Sequence, residues 1–170
     1  MIAATTRIAL LSAPLRSRFS GGVHRLEMYS EEEIMDIVRR SARILGIILD
    51  DHALREIAVR SRNTPRTANY LLKRIRDYAQ VKGKEITREV VHEALQLLGV
   101  DEEGLTNIDR QYVEVLKNKF GGGPVGLKTL AAALNEDEGT LEDVIEPYLL
   151  QKGLIEKTAR GRTIVEKGLF

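Results

Sequence analysis

Apolar residues recur at helical spacing along most of this chain, and capping residues bracket each run. In "YSEEEIMDIVRRSARILG", Ile34, Ile37, Val38, Ala42 and Leu45 fall on one face, Ser30 and Glu33 have the spacing of a capping box, and Gly46 supplies the stop. A second helix is predicted from near Asp51, with Ala53, Leu54, Ile57 and Ala58 facing inward. A third begins after Thr64 as N-cap, with Pro65 in the first helical position and Leu71, Leu72, Ile75 and Ala79 as its buried stripe. Thr87 caps a fourth, in which Val90, Val91, Ala94, Leu95 and Leu98 point inside and Gly99 closes. The four make a small bundle over residues 28–99.

"GVDEEGLTN" carries no periodicity and marks a boundary. Beyond it Ile108, Tyr112, Val115 and Leu116 outline a helix that stops at "GGGP", "LKTLAAAL" is a short second helix, and "TLEDVIE" opens a third that has to end or kink at Pro147. "LIEK", "TARGR" and "TIVE" then read as strand, basic turn and strand. Three helices followed by a hairpin is the order of a winged helix, over residues 100–170. The expected fold class is therefore mainly α: a four-helix bundle, then a winged helix with a two-stranded β wing.

Composition narrows the function classes. A chain of 170 residues suits one or two small domains, and 43% hydrophobic with 30% charged residues is a globular balance. No apolar run approaches the roughly 20 residues that span a bilayer, so no membrane partner is expected. The absence of cysteine excludes disulfides and thiolate metal sites and fits a reducing compartment. His24, His52 and His92 are scattered, and "HEALQ" lacks the second histidine of a helical zinc site, so no metal site is expected. A net charge of +1 means that any nucleic-acid role must come from local patches. The opening "AATTRIALLSAPLRSRF" has an apolar centre, 8–11, far too short for a signal sequence; it reads as the tail end of a preceding domain.

Three stretches could carry chemistry. In "GGGPVGLKT" Leu127 separates Gly126 from Lys128, and the stretch follows a helix, so it reads as an inter-helix turn and not as a phosphate loop. In "NTPR", Pro65 and Arg66 occupy the first turn of a helix, where free N–H groups favour an anion. Arg66 has two uses open to it there: reaching a phosphate, or pairing with Asp50 or Asp51. "EKTARGRT" gathers Lys157, Arg160 and Arg162 at a hairpin tip, which suits a phosphate backbone or a solvated turn. Glu138, Glu142, Asp143 and Glu146 make the third winged-helix segment acidic and oppose its entry into a major groove.

Taken together, "ATTR", "LLSAPLRSRF", "RRSARILG", "TPRTANYLLKRIRDYAQVKG", "LLGVDEEGL", "GGPVGLKTLAAAL", "EDVIEPYLLQKG" and "TARGR" resemble, in order and over nearly the whole chain, the RuvB family of bacterial Holliday-junction branch-migration motors, hexameric AAA+ ATPases. The resemblance implies a back portion of such a motor: residues 1–27 as a remnant of the α/β ATPase core, 28–99 as the helical lid, 100–170 as the winged-helix DNA-binding domain. It implies Thr6 as a sensor threonine, Arg18 as an arginine finger offered to a neighbouring subunit, Tyr29 beside adenine, and Pro65 with Arg66 as the second sensor. Lys157 and Arg162 match wing positions that touch DNA, and Arg160 lies between them. ATP or ADP with Mg²⁺ is implied for the intact protein and none for this chain alone, which carries neither Walker A nor Walker B and is expected not to turn over ATP unaided. Implied partners are duplex DNA at Holliday junctions, further RuvB subunits in a hexamer and, in the intact protein, RuvA, whose docking hairpin is absent from this chain; implied settings are the cytoplasm, recombination, repair and the SOS response. Departures are a turn after Arg18 one residue longer than usual, Asn63 for glycine, and Ala159 for proline. The other readings are a standalone winged-helix regulator with a helical interaction domain, and an adaptor that docks onto an intact ATPase and supplies Arg18 in trans.

Overall fold

A computed structural model describes residues 2–5, 8–19 and 21–165. Its first part is exposed and irregular: a 3-10 turn at Ile8–Leu10 and the single-turn helix α1 (Ala13–Arg16) bury nothing. Among the described residues the first buried side chain, Ile34, follows the cap at Ser30. The Ser30 hydroxyl accepts the Glu33 N–H (3.2 Å) while the Glu33 carboxylate accepts the Ser30 N–H (2.8 Å), closing the capping box that starts α2 (Glu31–Ile44). Asp50 starts α3 (Asp51–Arg60) by accepting the Ala53 N–H (2.7 Å). The long helix α4 (Pro65–Lys82) ends on Gly83 at φ 62°, and α5 (Arg88–Leu97) follows its Thr87 cap. Ile34, Val38, Leu54, Ile57, Leu71, Leu72, Ile75, Val91 and Leu95 meet in one core, as their spacing predicts.

A second core gathers around Tyr112, Leu116, Leu130, Leu141, Ile145 and Leu149. It is built from α6 (Asn107–Glu114), which widens into a π turn at Val115–Lys119; α7 (Leu127–Leu134); α8 (Glu138–Thr140); and α9 (Glu146–Gln151). Strands β1 (Ile155–Thr158) and β2 (Gly161–Ile164) pair antiparallel, with Ile155 opposite Ile164 and Lys157 opposite Arg162.

Two features differ from the pattern reading. Pro147 does not end its helix: a π turn at Leu141–Ile145 comes first, and the chain then runs on as α9 to Gln151. A proline cannot donate and crowds the preceding turn, so a widened turn just ahead of it lets the helix continue. The glycine-rich stretch is more than an inter-helix turn. Val125 bridges to Arg162 through both of its backbone groups (2.9 and 2.8 Å), and Ile164 N–H donates to Gly122 (2.8 Å), so the stretch lies along β2 as a third edge of the wing.

That approach has no room for side chains. A Cβ on Gly161, which sits at φ 137°, would lie 2.3 Å from the Val125 carbonyl oxygen. Gly161→Ala is therefore expected to disorder the wing while leaving the helical bundle folded. In amide hydrogen exchange, residues 122–125 and 155–164 should lose protection and the α2–α5 core should keep it.

Candidate functional site

The wing is organised around a carboxylate with no access to water. Glu146 is 0% exposed, and burial alone would push its carboxyl up. Arg162 grips it with both nitrogens of a fork, Nε to Oε1 at 2.9 Å and Nη2 to Oε2 at 3.2 Å. Lys157 Nζ lies 2.8 Å from Oε2, and the Tyr112 hydroxyl donates to Oε1 at 3.0 Å. These donors hold Glu146 below its ordinary range, while burial, with Glu146 beside it, drives the Tyr112 hydroxyl well above its own. Glu142 adds a second acceptor, 3.3 Å from Lys157 and 3.4 Å from Arg162. Two cations and two carboxylates thus neutralise one another.

The three wing cations are therefore not equivalent. Arg162 is 14% exposed at its side chain and faces inward; Lys157 is 37% exposed and turned toward the same acids. Arg160 sits at the tip, exposed, with no ion partner among the described residues, and its own N–H donates to Thr158 Oγ1 (3.2 Å) within the turn. The acidic helix also changes character. Glu142 and Glu146 are turned to the hairpin instead of forming a free negative face, which leaves Glu138 exposed near its start.

A second cationic position lies at the start of α4. Thr64 does not cap the helix with its side chain; its hydroxyl donates to the Ser61 carbonyl (3.2 Å) and contacts Thr67 Oγ1 (2.7 Å). Pro65 has no N–H, so the first turn presents the Arg66 and Thr67 amides with Arg66 exposed beside them. The alternative partners for Arg66 are engaged elsewhere: Asp50 caps α3, and Asp51 pairs with Arg39 at 3.2 Å. Among the described residues Arg66 makes no ion pair, and neither does Arg18, which is exposed just after α1. Tyr29 is exposed immediately before the Ser30 cap. Thr6 lies outside the described residues. Arg18, Tyr29 and Arg66 stand on separate elements, whereas Lys157 and Arg162 are brought onto one carboxylate.

Pattern reading found the wing cations but not their counter-charges. The one signal available was the i, i+4 spacing of Glu142 and Glu146, which puts both on one side of a helix without saying which side. It also passed over Arg62, whose guanidinium pairs with the buried Asp109 of α6.

Comparison with known proteins bears on the two folded bodies. Residues 29–101 match the RuvB AAA lid domain and residues 102–170 the RuvB C-terminal winged helix domain. The chain is 58% identical over 163 residues to the Holliday junction branch migration complex subunit RuvB of Dehalococcoides mccartyi, covering 95% of this chain and 46% of that protein. Among solved structures, the RuvB Holliday junction branch migration motor of Thermotoga maritima superposes with a TM-score of 0.84 at 42% identity, over 94% of this chain and 53% of that one. A mutant of the same protein gives 0.85 at 44% identity, over 96% and 54%. The chain thus spans about half the length of the relatives it matches. With both domain matches adjoining and in order, the chain belongs to the RuvB family, of which it carries the AAA lid and the C-terminal winged helix.

Proposed function

We propose that this chain is the lid and DNA-binding portion of a hexameric, ATP-driven motor that migrates Holliday junctions in recombination and repair. The observation that carries the reading is that Arg18 ahead of the bundle, Arg66 within it and Arg160 at the wing tip are exposed and make no ion pair among the described residues. Residues 1–27 are assigned to the end of the ATPase core, with Thr6 as sensor and Arg18 as a finger for a neighbouring subunit. Tyr29, Pro65 and Arg66 would line the nucleotide. ATP with Mg²⁺, held by the motor core of the intact protein, would supply the phosphoryl-transfer energy. This chain's residues contribute positive charge and amide donors at the edge of that site. In an assembled hexamer carrying this segment, with RuvA as a further partner in the cytoplasm, motion of the lid would carry the wing along the duplex.

The wing contact proposed here is graded. Arg160 meets phosphate directly, Lys157 contributes from its partly exposed position, and Arg162 chiefly locks the hairpin onto Glu146. A standalone regulator reading sequence with its third helix gains nothing from the structure, because acids exposed on that helix surface, Glu138 and Asp143 among them, repel phosphate.

Short duplexes of unrelated sequence should bind this chain weakly and with similar affinity, and less tightly as salt rises. Arg160→Ala should weaken all of them and lower the slope of log affinity against log salt by about 1. Fluorescence anisotropy checks this; an isotherm indifferent to salt would overturn the DNA reading. Placed in a full hexameric relative, Arg18→Ala should cut ATP turnover by ~10³-fold or more, read as phosphate release.

Glu146 gives a pH prediction. Its folded-state carboxyl titrates below the unfolded value of about 4.3, so its stabilisation is present above that pH and is lost as pH falls through the lower, folded value. Wing amides should lose protection over that acid range. In Glu146→Gln the pH dependence should flatten and the wing should be less stable at neutral pH, by roughly 3 kcal/mol, the cost of breaking a buried ion pair.

A further inference from the structure

The turn between α3 and α4 is where the bundle grips the winged helix. Arg60, buried at the end of α3, donates from Nε to the Asp101 carbonyl (2.9 Å). Two residues on, Arg62 donates from Nε to the Gly104 carbonyl (3.1 Å) and its Nη2 pairs with Asp109. Its guanidinium also lies 4.5 Å above the Tyr148 ring. Tyr148 in turn donates its hydroxyl to the Glu103 carbonyl (2.6 Å). One arginine side chain therefore touches the linker, α6 and α9 together.

Three further observations show that this grip is specific. Arg62 and Asn63 are consecutive non-glycine residues in the left-handed region, at φ 56° and 54°. Such a pair is costly and persists only where surrounding contacts over-determine it. Asp109 is 1% exposed at its side chain; Oδ2 accepts the Thr106 N–H (2.7 Å) and faces Arg62, while Oδ1 has no hydrogen-bond partner among the described residues. Arg62 is therefore the cation that compensates this buried charge. Packing at the linker is equally close: a Cβ on Gly104 would lie 3.0 Å from the Tyr148 hydroxyl and 3.2 Å from Arg60 backbone.

Arg66 follows Arg62 by four residues and lies in the first turn of α4. We propose that the strained turn 60–63 is a rigid joint between the two bodies and that Arg62 is its positioning residue, so that displacement at the Arg66 end of α4 moves the winged helix with it. The transmission rests on the proposed role of Arg66, whereas the rigidity of the joint does not.

The test is backbone ¹⁵N relaxation on this chain in the absence of nucleotide and DNA. In the parent protein, residues 31–97 and 107–164 should report one rotational correlation time. Arg62→Gly relieves the left-handed backbone yet removes the latch; each half should remain folded by its dispersed amide spectrum and tumble separately, toward the time of a body half the mass. Asn63→Gly relieves the same kind of strain, keeps the latch, and should tumble as one. Arg62→Lys retains a charge for Asp109 but loses the fork and the planar stack; it should keep the winged helix folded while the two times diverge. Separate tumbling of the parent halves, or a single time in both Arg62 variants, would overturn the joint. Adding a short duplex tests transmission: amides of residues 66–68 should shift together with those of the wing in the parent and not in Arg62→Gly. Wing shifts without any response at 66–68 in the parent would overturn transmission. No wing shift at all would overturn the DNA reading, leaving the joint to the tumbling comparison.

Discussion

Glu146 cannot reach water, and the geometry of the wing follows from that constraint. A buried carboxylate is tolerable only when charged and polar donors surround it, and here Arg162, Lys157 and Tyr112 supply them from β2, β1 and α6. The hairpin is thereby anchored to the helices through its side chains, as well as through the Val125 bridge along β2. Fixing two of three cations inward leaves the third at the tip. Specialisation among the basic residues of the turn is thus a consequence of where one acid is buried.

The second body is held by apolar packing and needs no such network. Its buried positions are Ala, Val, Ile and Leu on α2 to α5, and its buried polar exceptions, Arg60 and Ser61, both lie at the end of α3. Polar burial therefore concentrates where the bundle meets its neighbour. Apolar residues build each body, and charged residues with backbone carbonyls connect them. Hydrogen bonds to charged groups are directional in a way that apolar contact is not, so a joint made of them favours one relative orientation.

A winged helix invites the expectation that its third helix reads bases. In this chain two acids of that region, Glu142 and Glu146, have a different use: they are the sockets of the hairpin. Pairing these two lowers the negative charge of the surface without removing it, since Glu138 and Asp143 stay exposed, and it provides no donor for a base edge. That combination favours contact with phosphates over contact with base edges.

Much of the secondary structure was legible from the chain alone. The Ser30–Glu33 box, Pro65 after Thr64, the closing glycines 46 and 99, and the 3.6-residue stripes are local signals, because a helix satisfies its caps and chooses its buried face within a few residues of sequence. The basic hairpin was legible for the same reason. Pairings across distance were not: Glu146 with Arg162, Arg62 with Asp109, and Val125 with Arg162 join residues far apart in the chain, and nothing in their spacing marks them. The passage of the helix through Pro147 belongs with these, since the π turn that admits it packs Leu141 and Ile145 into the second core. Sequence by itself determined which segments become helices and which residues carry charge. Tertiary structure decided which charges are spent on one another and which remain for a ligand, because that depends on burial, and burial is settled only when distant segments meet.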